Sequence, residues 1–237
     1  MKARIKFRKY GVMKFIGHLD VMRYFQKAMR RAEIPIAFTE GYSPHMIMSF
    51  AQPLGVGITS EGEYLDIELT KPISSREAIE QLNRVMVEGI DIESFVQISG
   101  DKKASGMTIT AASDYRVYPC ASSRSLEEHI HIPLKWREGI PHFLGENQII
   151  VWKKSKKSEK EVDILPLIYK MHADEDSLYL LLAAGSEQNL KPDLVMEAFL
   201  NYMGEPLCPL HYHRLDIRAR GEDGAFVPLS DMGTEIL

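Results

Sequence analysis

The spacing of apolar residues changes period along the chain, and the changes mark out elements. Residues 3–10 alternate, with Ile5 and Phe7 set between Arg4, Lys6 and Arg8. A period of two predicts a strand with one buried face. From 17 to 33 the period becomes helical: Leu19 starts a stripe that continues through Met22, Phe25, Met29 and Ala32. Arg23, Lys27, Arg30 and Arg31 fall on the opposite, solvated side, and Pro35 ends the helix. Residues 34–39 read as a short strand, Gly41-Tyr42-Ser43-Pro44 as a turn, and 46–50 as a short apolar run. Residues 63–70 alternate again as a strand. Ser74-Ser75-Arg76-Glu77 is a capping box ahead of Ile79, Leu82, Val85 and Met86, a second helix. Residues 90–98 alternate as a last strand of this set. Strand, helix, strand pair, helix, strand is the split order of ferredoxin-like folds.

Residues 99–113 are small, polar and glycine-containing, the composition of a linker. The pattern then restarts. A strand is expected at 114–119, helical stretches interrupted by Pro133 and Pro141 at 122–144, and strands at 148–152 and 161–169. A further strand at 177–184, a helix at 192–203 and a strand at 210–219 follow. The helix carries Leu194, Val195, Ala198, Phe199 and Tyr202 on one side. Residues 221–237 have no strong period and are expected to fray. The fold class predicted is α+β, as two tandem ferredoxin-like (βαββαβ) modules at 1–100 and 114–221. A linker at 101–113 joins them, a tail at 222–237 follows, and the repeat of element order suggests an internal duplication.

Composition narrows the class. The chain has 237 residues, 45% hydrophobic and 26% charged, ordinary for a globular protein and unlike a disordered one. No apolar run approaches the roughly 20 residues that cross a bilayer, and residues 1–11 (MKARIKFRKYG) lack the apolar core of a secretion signal. Two cysteines, Cys120 and Cys208, make no disulfide framework, so a cytoplasmic location is expected. The net charge of −4 argues against a generic nucleic-acid binder. It hides a gradient. Residues 1–50 hold ten bases and three acids, and residues 51–100 three bases and nine acids. Lys153, Lys154, Lys156 and Lys157 form a second basic run beside Trp152. Such asymmetry marks either a polyanion-facing surface or two solvated faces that differ.

The chemistry-bearing residues form few groups. Gly55, Gly57 and Gly62 do not make a dinucleotide fingerprint, and no Walker lysine motif occurs. Cys208, His211 and His213 have metal-ligand spacing without an identifiable fourth ligand; the alternative is a half-exposed strand whose histidines meet water. His129 and His131 repeat the i, i+2 spacing. His18 and Asp20 open the first helix, while Tyr42 and His45 sit in the loop after the next strand. Brought together, His18, Tyr42 and His45 could do acid–base work on RNA, or bind phosphate beside Lys14, Arg23, Lys27 and Arg30. Asp20 alone is simple helix-start chemistry. The lysine run reads as a solvated hairpin tip or a phosphate-tracking finger. Met22, Met29, Met46 and Met48 read as core filler.

Several segments belong together: Phe15-Ile16-Gly17-His18-Leu19-Asp20, Met29-Arg30-Arg31-Ala32, Phe38-Thr39-Glu40-Gly41-Tyr42-Ser43-Pro44-His45, Gln52-Pro53-Leu54-Gly55-Val56-Gly57 and Glu63-Tyr64-Leu65-Asp66. With Lys156-Lys157, Glu161-Val162-Asp163-Ile164 and Pro166, they resemble the bacterial radical-SAM-linked family of unknown function, domain of unknown function 2344. The resemblance implies a radical S-adenosylmethionine protein as partner. Such an enzyme holds its iron–sulfur cluster on three closely spaced cysteines, which this chain lacks, so no cofactor of its own is expected. An accessory role follows: a non-catalytic module binding tRNA-like RNA or another phosphate-rich substrate in trans. A small RNA-processing enzyme and a protein-docking subunit using the acidic 61–93 surface are the alternatives.

Overall fold

The computed structural model describes residues 1–123, 125–154 and 159–237. The chain is α+β and divides into two compact units, Met1–Ala111 with Arg214–Leu237, and Ala112–His213. The units are therefore not consecutive, unlike the boundaries read from the sequence.

The first unit begins with β1 (Lys2–Lys9), α1 (His18–Arg31), β2 (Met48–Phe50) and β3 (Thr59–Glu68). It continues with α2 (Ser75–Asn83), β4 (Ile90–Ile98) and the short α3 (Gly106–Ile109). β1 pairs antiparallel with both β3 and β4, and β2 pairs antiparallel with the end of β3, giving the order β4-β1-β3-β2. Ala3, Ile5 and Phe7 of β1 point into a core shared with Val21, Phe25 and Met29 of α1 and with Ala78 and Leu82 of α2. Phe7, Phe25 and Phe50 pack ring on ring, Phe7 and Phe25 with centres 4.7 Å apart. The buried stripe of α1 runs 21, 25, 28, 29, 32, a clean helical period. Leu19 does not join it. It lies in the first turn and is 60% exposed. The expected strand at 34–39 is only two isolated bridges, Ile36 to Leu69 and Phe38 to Met46.

The second unit contains β5 (Ala112–Ser122), β6 (Ser125–His129), α4 (Leu134–Leu144), β7 (Ile150–Lys154) and β8 (Glu159–Asp163). After these come β9 (Ile168–Ala173), β10 (Leu178–Ala183), α5 (Pro192–Tyr202) and the start of β11 (Leu210–Arg220). Its sheet has the order β5-β10-β9, all antiparallel. The Cys120 amide donates to the carbonyl of Pro209, just before β11. β6 folds back on β5, and β7 with β8 makes a separate hairpin. Trp136, Ile140 and Phe143 of α4 meet Val195, Met196 and Phe199 of α5 over Leu178, Leu180 and Leu182. Residues 125–129, expected in a helical stretch, form β6 instead. Pro133 caps α4, and Pro141 is carried inside it.

Two segments expected to be loose are built into the first unit. In the presumed linker, the Gly106 amide donates to Asp66 at 2.6 Å and the Ala104 carbonyl accepts from Arg4. A Cβ on Gly106 would lie 2.9 Å from that of Ala51, so this close approach demands glycine. In the presumed tail, β12 (Phe226–Pro228) pairs with β11, and β13 (Thr234–Glu235) pairs with β4. Leu229 is fully buried, and its carbonyl accepts from Arg4. Both segments cover the sheet face opposite the helices. Tyr64, Ile217, Leu229 and Ile109 form a small second core there. Periodicity missed this because 3₁₀ turns and short edge strands carry little repeat.

Candidate functional site

β1 alternates, yet at Arg4 and Lys6 its polar face is covered. Arg4 is 1% exposed and grips Asp66 through two nitrogens, at 2.7 and 2.9 Å. Lys6 donates to Asp216 at 2.8 Å, and Tyr64 donates to the same carboxylate at 2.6 Å. Lys9 is buried and donates to the carbonyl of Ile16. Desolvation pushes its pKa down, against the pull of Glu63. Arg214 holds both oxygens of buried Glu63, at 2.9 and 3.1 Å. Gly62 lets β11 approach here, since a Cβ would sit 2.7 Å from Asp216 Cα. Buried charges are tolerated only when paired or hydrogen-bonded; here Arg4, Lys6 and Arg214 each meet a carboxylate, and Lys9 donates to a backbone carbonyl. These residues hold strands together.

Of the ten bases in residues 1–50, only Arg23, Lys27, Arg30 and Arg31 are exposed. All four lie on α1, whose sole carboxylate is Asp20, 3.4 Å from Arg23. Arg31 donates to the Val85 carbonyl, while neither Lys27 nor Arg30 meets a carboxylate among the described residues. Lys14, expected beside them, is buried, its ammonium 5.3 Å from the Phe15 ring centre. Lys153 and Lys154 lie in β7, where only their backbone is described, and Lys156 and Lys157 fall outside the described residues.

The expected His18–Tyr42–His45 cluster does not assemble by contact. The His18 ring meets Phe50 edge-on at 5.1 Å, and burial lowers its pKa. His45 pairs with the Thr39 hydroxyl at 3.1 Å, and Tyr42 is fully exposed. The reason is topological. α1 starts beyond the end of β1 and returns alongside it, so the loop after α1 leaves from the opposite end. From the bridge at Met46 to Phe50 the extended backbone alone spans about 13 Å. Near the start of α1, the Gly57 amide donates to the Lys14 carbonyl at 2.8 Å and ties two loops together. Those loops and the first turn of α1 expose Val12, Phe15, Val56 and Leu19.

In the second unit the histidines regroup. His211 pairs with His129 at 3.0 Å rather than with Cys208, and Tyr118 stacks on His129 at 4.1 Å. His211 and His213 share a strand face, but their ring centres are 6.3 Å apart. Among the described residues, no three of His, Cys, Asp and Glu are placed to hold a metal ion. No described helix is long and apolar enough to cross a membrane. The apolar side of α5, read as one stripe, splits into two rows. Val195 and Phe199 enter the core, while Leu194, Ala198 and Tyr202 face an open groove of about 510 Å³. Trp152 lines its other side and is 61% exposed. The groove escaped the sequence reading; the one signal for it was a stripe on α5 too wide for a single core.

These are features of an α+β protein with two sheet units, one carrying an exposed cationic helix. Residues 2–192 match the family DUF2344, described as an uncharacterized protein conserved in bacteria, and the chain belongs to that family. No curated protein matches it.

Proposed function

We propose that the chain is a non-catalytic binding module that engages structured RNA of the tRNA type. It would act in the cytoplasm, in trans with a radical S-adenosylmethionine enzyme. The observation that carries the RNA reading is the outer face of α1. Arg23, Lys27, Arg30 and Arg31 are exposed there, over about 12 Å of helix, with one carboxylate among them. Unneutralised cations on a rigid helix are what phosphates displace counterions to reach. Having two cysteines, this chain leaves the three-cysteine cluster of such chemistry to a partner. The exposed Val12, Phe15, Leu19 and Val56 support docking to that partner.

We infer further that each unit is a ferredoxin-like module. The antiparallel order β4-β1-β3-β2, with α1 and α2 as crossovers, supports this for the first unit. In the second, β5-β10-β9, with Pro209 bonded to the outer edge of β5, supports the same arrangement. RNA-processing proteins use tandem modules of this kind, which is analogy of fold and not of site.

The test is filter binding of total tRNA at rising salt. Affinity is expected to fall linearly on a logarithmic scale. Lys27→Ala with Arg30→Ala is expected to flatten the slope by about two. No binding at low salt, or an unchanged slope in the double variant, overturns the reading.

A further inference from the structure

We propose that the groove between β7 and α5 is a nucleobase pocket, selective for bases that carry an exocyclic amino group. The inference rests on the nucleic-acid reading above and names what this second surface would take. Four observations converge. The cavity, about 510 Å³, is within the range of small-ligand sites. Its walls are aromatic: Trp152 on one side, Phe143 and Tyr202 on the other, the last two with ring centres 5.4 Å apart. Trp152 and Tyr202 are both exposed, although each is a large apolar surface that water solvates poorly. Among the described residues, the polar lining is Glu146, Gln148, Glu197 and Asn201, with no lysine, arginine or histidine.

That last feature decides the ligand's chemistry. Two carboxylates in the lining repel a phosphate placed among them, so the sugar–phosphate chain stays outside. Carboxylates accept hydrogen bonds and cannot donate them. A planar ring that stacks on Trp152 and offers N–H groups to Glu197 suits the site. Cytosine, adenine and guanine offer an amino group. Uracil presents carbonyl oxygen where cytosine has its amine; its one ring-edge N–H sits between two carbonyl oxygens that a carboxylate repels, so it is the weaker donor to Glu197. Glu197, which lines the groove from α5, is taken as the discriminating group.

The experiment uses the whole chain, with the eight-residue RNA oligomers C8 and U8 as probes. Trp152 reports directly, because the other tryptophan, Trp136, is buried. C8 is expected to quench tryptophan fluorescence and to bind about tenfold more tightly than U8, the value of one good base contact. Glu197→Gln is expected to erase that ratio while the protein stays folded, and Trp152→Ala to reduce C8 binding, measured by filter retention, to the level of U8. Equal binding of C8 and U8 overturns the proposal. So does quenching by a phenylalanine-rich peptide with none from C8, which would assign the groove to a protein. Lys27→Ala with Arg30→Ala is expected to leave the C8/U8 ratio intact. Failure of the tRNA salt test with the ratio preserved therefore removes only the α1 reading, and the converse removes only the pocket.

Discussion

The cations of β1 and those of α1 come from one basic stretch of sequence and meet opposite fates. Arg4 and Lys6 are drawn under the sheet, where Asp66 and Asp216 meet them. Arg23, Lys27 and Arg30 stay in water, and among the described residues only Arg23 forms an ion pair, with Asp20. The carboxylates that decide this lie far off in sequence, on β3 and on β11. A segment's formal charge is thus a poor guide to its surface field, because field is set by what remains unpaired after folding.

The largest effect that would break this contrast lies on the buried side. Arg214→Ala removes the one guanidinium that grips buried Glu63 and is expected to lower stability by about 3–5 kcal/mol in urea unfolding. Replacing both residues with apolar side chains of similar volume is expected to recover most of that loss. A loss below about 1 kcal/mol would class the pair with ordinary surface ion pairs. On the exposed side, Lys27→Ala with Arg30→Ala is expected to change stability by no more than about 0.5 kcal/mol. The same variant should still weaken tRNA binding, so stability and affinity separate on α1 alone.

The smallest effect concerns His18. Its pKa is held below the ordinary 6.5 by burial against Phe50. The folded state therefore favours the neutral ring, while the unfolded chain takes up a proton first as pH falls. The stability contributed is complete above about 6.5 and is lost progressively below it, a small effect because the ring is largely solvated. Thermal unfolding of wild type and His18→Gln across that range checks the sign: the substitution should flatten the acid-side decline. A steeper decline in the variant would contradict it.

Much of the element order was legible. The alternation of 3–10, the helical stripe through Phe25 and Met29, the capping box at Ser74, where the hydroxyl accepts from the Glu77 amide, and the strand at 90–98 all depend on neighbours a few residues away. What was not legible depends on distant partners. Gly106, read as linker, is pinned by Asp66. Leu229, read as tail, is buried through a carbonyl that accepts from Arg4. The histidine pair joins 129 to 211, and neither the 129/131 nor the 208/211/213 spacing announces it. The two rows on α5 looked like one stripe because periodicity reports that a face is apolar and not what it faces.

The sequence by itself determined the local periods, the caps and breaks, and the inventory of charge, since each follows from short-range sterics and side-chain spacing. Tertiary structure alone decided which charges are buried as pairs, which strand edges the last residues close, and which apolar residues stay open around a groove. Those outcomes turn on desolvation, and desolvation is settled only when remote segments come together and exclude water.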